Sequence, residues 1–274
     1  MQINALARAK INLCLHVTGQ RDDGYHLLDS IVVFANIGDR ISVVPDLGFS
    51  LKIDGPFAQG LVAGDDNLVL RAAKFFGHEC AGAAITLTKN LPVGSGIGGG
   101  SADAAATLRA MARMTGAPLP TDLGLFLGAD VPVCLQNNAC RMQGVGEQLT
   151  PIPEFPKCAA VLACPKPGHK TPLVFSTLKC KENAHVPALP APLEMVSFLA
   201  RQRNDLETPS IALLPEIGQC LDEITKNGAT LARMSGSGAT CFGLFETDQA
   251  AQDAANFIAL EQPDWWVRPC LLGG

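Results

Sequence analysis

Residues 91–110, LPVGSGIGGGSADAAATLRA, set Gly94, Gly96, Gly98, Gly99 and Gly100 among Ser95, Ile97 and Ser101 and pass directly into an alanine-rich segment. Without a Cβ, successive glycines let backbone amides point into one concavity, and a polyanion can approach the main chain. The helix expected next adds its unpaired amides and the positive end of its dipole. The chemistry this pattern offers is the holding of a phosphate chain.

Two single charges offer the rest. Lys10 interrupts an apolar strand pattern, and Asp130 is the only charge in LGLFLGADVPVCL, residues 123–135. Each has an ordinary reading as an edge or cap residue, since unpaired buried charges are rare. If both face one site, the carboxylate accepts an alcohol proton and the ammonium stabilises developing charge, a sufficient set for phosphoryl transfer.

The glycine run has other readings. A flexible linker would not be flanked by the apolar strand AAITLTK (83–89) and a helix with Ala104, Leu108 and Met111 on one face. Gly94, Gly96 and Gly99 match G-x-G-x-x-G, but TGAPLPTD follows the helix where a dinucleotide site needs a second strand ending in an acid. No lysine follows the glycines as in a Walker-type loop. A second cluster, SGSGAT at 235–240, reads either as a hairpin turn or as a cover over the phosphates. In RDDGYH (21–26), Asp23-Gly24 make a turn, and Tyr25-His26 either begin the next strand or stack on and read a nucleobase.

The elements that must position these residues follow a mixed α/β pattern. Residues 3–17 alternate, with Ile11, Leu13, Leu15 and Val17 on one face and Arg8, Lys10, Asn12 and His16 on the other. Residues 30–45 read as strands broken by a turn at NIGDR. A helix follows Asp66, with Leu68, Ala72, Phe75 and Phe76 at helical spacing and Gly77 as its stop. Later come a strand at 158–165, a Pro-rich loop at 185–192, a helix near 215–226 and a strand–turn–strand at 229–245. A Pro-punctuated stretch near Pro151 predicts two domains, 1–153 and 154–274.

Composition bounds the function. At 274 residues, 47% hydrophobic and 17% charged, the chain can bury a substantial core. It shows neither an 18-residue apolar run nor a signal-like start, so a membrane span and secretion are not expected. A net charge of −5 argues against a general nucleic-acid surface, so an anion must be held by a local site. The ten cysteines include no C-x-x-C and read as small buried hydrophobes in a reducing cytoplasm.

AKINLCLHVTGQRDDGYH (9–26), LPVGSGIGGGSADAAATL (91–108), GADVP (128–132) and RMSGSGATCFG (233–243) occur in the order expected of one family. The chain resembles the 4-diphosphocytidyl-2-C-methyl-D-erythritol kinases, a branch of the galactokinase, homoserine kinase, mevalonate kinase and phosphomevalonate kinase superfamily. The resemblance implies an α+β, two-domain small-molecule kinase. Its amino-terminal α/β domain would carry a left-handed crossover, its carboxyl-terminal domain would be ferredoxin-like, and the active site would lie between them. It implies ATP as phosphoryl donor to the 2-hydroxyl of a cytidine-diphosphate-linked methylerythritol.

By position, the resemblance makes Asp130 the catalytic aspartate and Lys10 its partner. It assigns Pro92, Val93, Gly94, Ser95, Gly96, Ile97, Gly98, Gly99, Gly100, Ser101 and Ala102 to the loop around the ATP phosphates, with Asn67 and Lys89 near the adenosine. Tyr25 and Phe175 would sandwich the cytosine, His26 would read its edge, and Asn12 and Thr171 would make polar contacts. Mg2+ is expected on the phosphates, with Ser101 and Asp130 as candidate ligands. Another alcohol kinase of the superfamily and a non-catalytic nucleotide-binding module are the alternatives.

Overall fold

The structure, a computed structural model, describes residues 1–119, 126–166 and 168–273. In chain order its strands are β1 (Ile3–Gln20), β2 (His26–Pro45), β3 (Gly48–Asp54), β4 (Gly82–Thr88), β5 (Cys140–Gly144), β6 (Gln148–Pro151), β7 (Cys158–Cys164), β8 (Leu231–Met234), β9 (Cys241–Phe245) and β10 (Trp266–Leu272). Its α-helices are α1 (Leu68–Lys74), α2 (Gly99–Thr115), α3 (Val131–Gln136), α4 (Thr171–Ser176), α5 (Met195–Ala200), α6 (Glu207–Leu213), α7 (Glu216–Lys226) and α8 (Asp248–Glu261). The class is α+β, with both parallel and antiparallel strand pairs.

The chain forms two compact units, each drawing on several stretches. The first holds Met1–Lys10, Ile37–Val93 and Gly98–Asn137, and the second holds Ile11–Asn36, Gly94–Ile97 and Asn138–Gly274.

In the first unit β3 runs parallel to β4, and β4 runs antiparallel to the second half of β2, from Arg40↔Thr88 to Pro45↔Ala83. Helix α2 packs against α1 and α3. Its inward face is mostly alanine, with Leu108 and Met111 fully buried, so the helices approach closely. Burying each of those larger side chains contributes about 1.5–3 kcal/mol. The turn expected at NIGDR is absent, and β2 runs straight through it. Gly38 serves close approach instead, because a Cβ there would lie 2.0 Å from the Ala7 carbonyl oxygen. Asp39 faces inward to an ion cluster rather than outward as a turn residue.

In the second unit β5 pairs with the first half of β2, and β6 pairs with β5. β10 lies antiparallel to β7 over seven rungs, from Trp266↔Cys164 to Leu272↔Cys158. β7, β9 and β8 follow, each antiparallel to the last. Ile217, Cys220 and Ile224 form the buried stripe of α7, and Gly243 admits it, since a Cβ there would meet Ile224 Cγ2 at 2.3 Å. Thr247 caps helix α8, its hydroxyl accepting from the Ala250 amide at 3.1 Å.

All ten cysteines are free thiols and most are buried. Burial pushes the Cys14 thiol up to about 11 and Cys134 up to about 12, which leaves both as inert packing groups. Among the described residues no helix is long and apolar enough to cross a membrane.

Candidate active site

In the first unit the strand β1 delivers Lys10 with its side chain inward. Its ammonium lies 3.0 Å from Asp130 Oδ1, and the lysine side chain is 6% exposed while the aspartate's is 40% exposed. Asp130 immediately precedes α3, where Pro132 occupies the first turn and needs no amide partner. Its carboxylate makes no capping bond to that helix. The lysine stem lies against the glycine run, because a Cβ on Gly98 would come within 3.1 Å of Lys10 Cβ. The two charges singled out in the sequence therefore form one ion pair beside Gly98. The neighbouring residues 123–125 lie outside the described residues.

Gly98 takes φ +69°, a left-handed conformation that favours glycine, and α2 begins at the next residue. The first intrahelical bond runs from the Ala102 amide to the Gly98 carbonyl at 2.8 Å. The amides of Gly99, Gly100 and Ser101 thus occupy the helix start, where donors have no carbonyl of their own helix to bond. Pro92 and Val93 lead into this turn, with Val93 partly exposed.

Lys89 lies beneath that start. Its ammonium donates to Asp39 Oδ2 at 2.5 Å and to Asp103 Oδ2 at 2.7 Å, and all three side chains are buried. Asp39 Oδ1 also accepts from the amides of Asn90 and Leu91, fixing the chain as it leaves β4. Burial alone would lower the Lys89 pKa, but Asp103 and Asp39 outweigh it and raise it, so the ammonium stays charged. Burial, with the nearby Asp39 charge, pushes Asp103 up to about 7 against the opposing pull of Lys89. Asp103 Oδ1 is buried and has no hydrogen-bond partner among the described residues. A Cβ on Gly99 would sit 3.1 Å from the Lys89 ammonium nitrogen, so only glycine fits over it without displacing the lysine. Asn67 caps α1, its Oδ1 accepting from the Val69 amide at 3.0 Å and its Nδ2 donating to the Val62 carbonyl at 3.0 Å.

In the second unit Gly94, Ser95, Gly96 and Ile97 rest on the other glycine cluster. The Thr240 amide donates to the Ser95 carbonyl at 3.0 Å, and the Gly168 amide donates to the Gly94 carbonyl at 3.1 Å. Gly96 has φ +77°, and a Cβ there would lie 2.5 Å from the Gly238 carbonyl oxygen. Residues 235–240 are thus the bed of the 94–97 segment, a role that neither reading of the sequence anticipated.

Asn12, Tyr25, His26, Thr171 and Phe175 belong to this unit. The His26 ring stacks on Phe175 with centroids 4.7 Å apart and planes at 25°, while Tyr25 is 64% exposed. The Phe175 ring is thus occupied on one side by His26. Burial, aided by the charge of Lys181, lowers the His26 pKa, so its ring is neutral near pH 7. Asn12 Nδ2 donates to Ser30 Oγ at 2.8 Å. Asn12 Oδ1 and His26 Nε2 are buried without partners among the described residues, two polar atoms that a ligand could satisfy. Thr171 opens α4, and its hydroxyl lies 3.0 Å from that of Ser237.

Sequence reasoning missed Asp39 and Asp103 as the partners of Lys89, and Ser237 as that of Thr171. Asp103 had a signal, since it is the one acid in the alanine-rich helix that follows the glycines. Asp39 was concealed within an apparent turn.

A glycine run leading into a helix, with a lysine–carboxylate pair beside it, suits a small-molecule phosphotransferase. The model described as GHMP kinases N terminal domain matches residues 67–142, and that described as GHMP kinases C terminal matches 186–263. The 4-diphosphocytidyl-2-C-methyl-D-erythritol kinase of Cereibacter sphaeroides is 54% identical, over 98% of this chain and 99% of its own. That of Ruegeria pomeroyi is 56% identical, over 97% and 98%. A crystal structure of 4-(cytidine 5'-diphospho)-2C-methyl-D-erythritol kinase superposes with a TM-score of 0.86 at 32% identity, covering 99% of each chain. Mevalonate kinase of Methanococcus jannaschii, at 14% identity and a TM-score of 0.67 over 100% of this chain and 98% of its own, shares the fold alone. This chain belongs to the 4-diphosphocytidyl-2-C-methyl-D-erythritol kinase family.

Proposed function

We propose that this chain is a cytoplasmic enzyme that transfers the γ-phosphoryl group of ATP to the 2-hydroxyl of 4-diphosphocytidyl-2-C-methyl-D-erythritol, a step of the methylerythritol phosphate route to isoprenoid precursors. The observation that carries the reading is the 3.0 Å Lys10–Asp130 pair beside Gly98. Asp130, partly exposed, takes the hydroxyl proton as the alcohol oxygen bonds to the γ-phosphorus. The bond to the bridging oxygen breaks, and its electron pair leaves with ADP. Lys10, shielded from water, offsets the charge that develops at the attacking side.

Residues 92–102 hold the phosphate chain through the glycine amides and the start of α2. Asn67 and Lys89 shape the adenosine side by fixing the first turns of α1 and α2. Tyr25 and Phe175 hold the cytosine, neutral His26 offers Nε2 to its edge, and Asn12 and Thr171 supply polar contacts. No cluster of three or more His, Cys, Asp or Glu fit for a metal occurs among the described residues. The hard oxygens of Ser101 and Asp130 suit Mg2+ that is held mainly by phosphates. Bound there, with Ser101 and Asp130 as the residues that would hold it, the ion would supply neutralisation of phosphate charge.

Coupled ADP release with the cytidine-linked alcohol tests the assignment. The expected result is ADP formed in step with phosphorylated alcohol and inhibited by free cytidine nucleotides. ADP release only with a different alcohol would overturn the substrate, and none with any alcohol would leave a nucleotide-binding module.

A further inference from the structure

We infer that Asn204 is a positioning residue for the ATP phosphate loop, acting through the 234–238 backbone on which Gly94–Ile97 rests. The inference builds on the proposed role of residues 92–102. Asn204 is 7% exposed, and its Nδ2 donates to two carbonyls of the same turn, Met234 O and Gly236 O, each at 2.8 Å. Its Oδ1 accepts from the Leu206 amide at 3.0 Å, so both hydrogens and the oxygen of the amide are used.

Its own backbone neighbours are fixed on both sides. The Leu15 amide donates to the Arg203 carbonyl at 2.9 Å, and the Asp205 amide donates to the Leu15 carbonyl at 2.8 Å. Asn204 is therefore a strut from β1 to the turn.

Beyond the strut the turn meets the 94–97 segment through backbone atoms. Gly236 has φ +58°, and a Cβ there would lie 2.8 Å from the Gly96 carbonyl oxygen. From the other side, Gly238 O and the Thr240 amide bear on Gly96 and Ser95. The two glycine runs meet backbone to backbone, so a shift of the turn passes directly to the phosphate loop. An aspartate of the same shape would lack both N–H groups and set an anionic oxygen against two carbonyls.

The test uses Asn204→Asp and Asn204→Ala in the full chain, with calorimetric titration of a non-hydrolysable ATP analogue and steady-state kinetics in both substrates. The analogue's Kd and the KM for ATP should rise about tenfold or more, and by clearly more than the KM for the alcohol, whose proposed contact Thr171 meets the same turn only through Ser237 among the described residues, a split that general loss of structure would not produce. Should the Asn204 variants fold poorly, Ser210→Ala removes a lesser brace of the same turn, the 3.1 Å bond from Ser210 Oγ to Ser237 O. It should raise the analogue's Kd by about two- to fivefold, in line with one neutral hydrogen bond. An unchanged Kd in these folded variants, or equal loss toward both substrates, would overturn the inference. Because analogue binding is read without turnover, an inactive parent enzyme would defeat the proposed reaction and not this role.

Discussion

Gly98 is the space that Lys10 occupies: a methyl group at Gly98 would press within 3.1 Å of Lys10 Cβ, in a backbone conformation of φ +69°. The glycine run and the ammonium of the Lys10–Asp130 pair are thereby set by one contact. Gly98→Ala should lower kcat by about tenfold or more through displacement of the ammonium, with about 1–2 kcal/mol lost from stability for the left-handed alanine. Steady-state kinetics beside thermal melts check both. Unchanged kcat in a destabilised variant would separate the loop from the pair.

Asp130→Ala should reduce turnover by about 10²–10⁴-fold, the usual scale for a general base, and leave ATP-analogue binding within about threefold. Single-turnover rates together with calorimetry distinguish this from lost nucleotide binding. Retained turnover would remove Asp130 from the chemistry.

Tyr25 is well exposed, so its removal costs the fold little. Tyr25→Ala should weaken binding of the cytidine substrate by about 1–3 kcal/mol, the range of base stacking, with the melting temperature unchanged. An unaltered affinity would place the cytosine elsewhere.

The buried Lys89 cluster gives a pH dependence of defined sign. The Asp103 carboxyl titrates near 3.8 in the unfolded chain and at about 7 in the folded one, so the native state binds the extra proton between those values. Its contribution to stability is full below about pH 4 and is lost as pH rises to about 7. Asp103→Asn, which cannot ionise, should therefore gain melting temperature relative to the parent over that interval and show a constant difference above it. A difference that shrinks with rising pH would contradict the assigned direction.

The local patterns were legible because they depend on residues close in sequence. The alternation over 3–17 gave β1, and helical spacing after Asp66 gave α1. The strand–glycine–helix junction gave β4, the loop and α2. NIGDR misled because its turn-forming composition was spent on long-range demands, a close approach at Gly38 and an ion partner at Asp39.

From the residues alone came the candidacy of the glycines as a phosphate cradle and of Lys10 and Asp130 as a reacting pair, since glycine's freedom and a lone charge in apolar surroundings are local properties. The pairing of residues 120 positions apart, the burial of Lys89 between two acids and the seating of 94–97 on 235–240 were decided only in three dimensions. Those are contacts between distant segments, and their free energy depends on who the neighbour is, which no local pattern encodes.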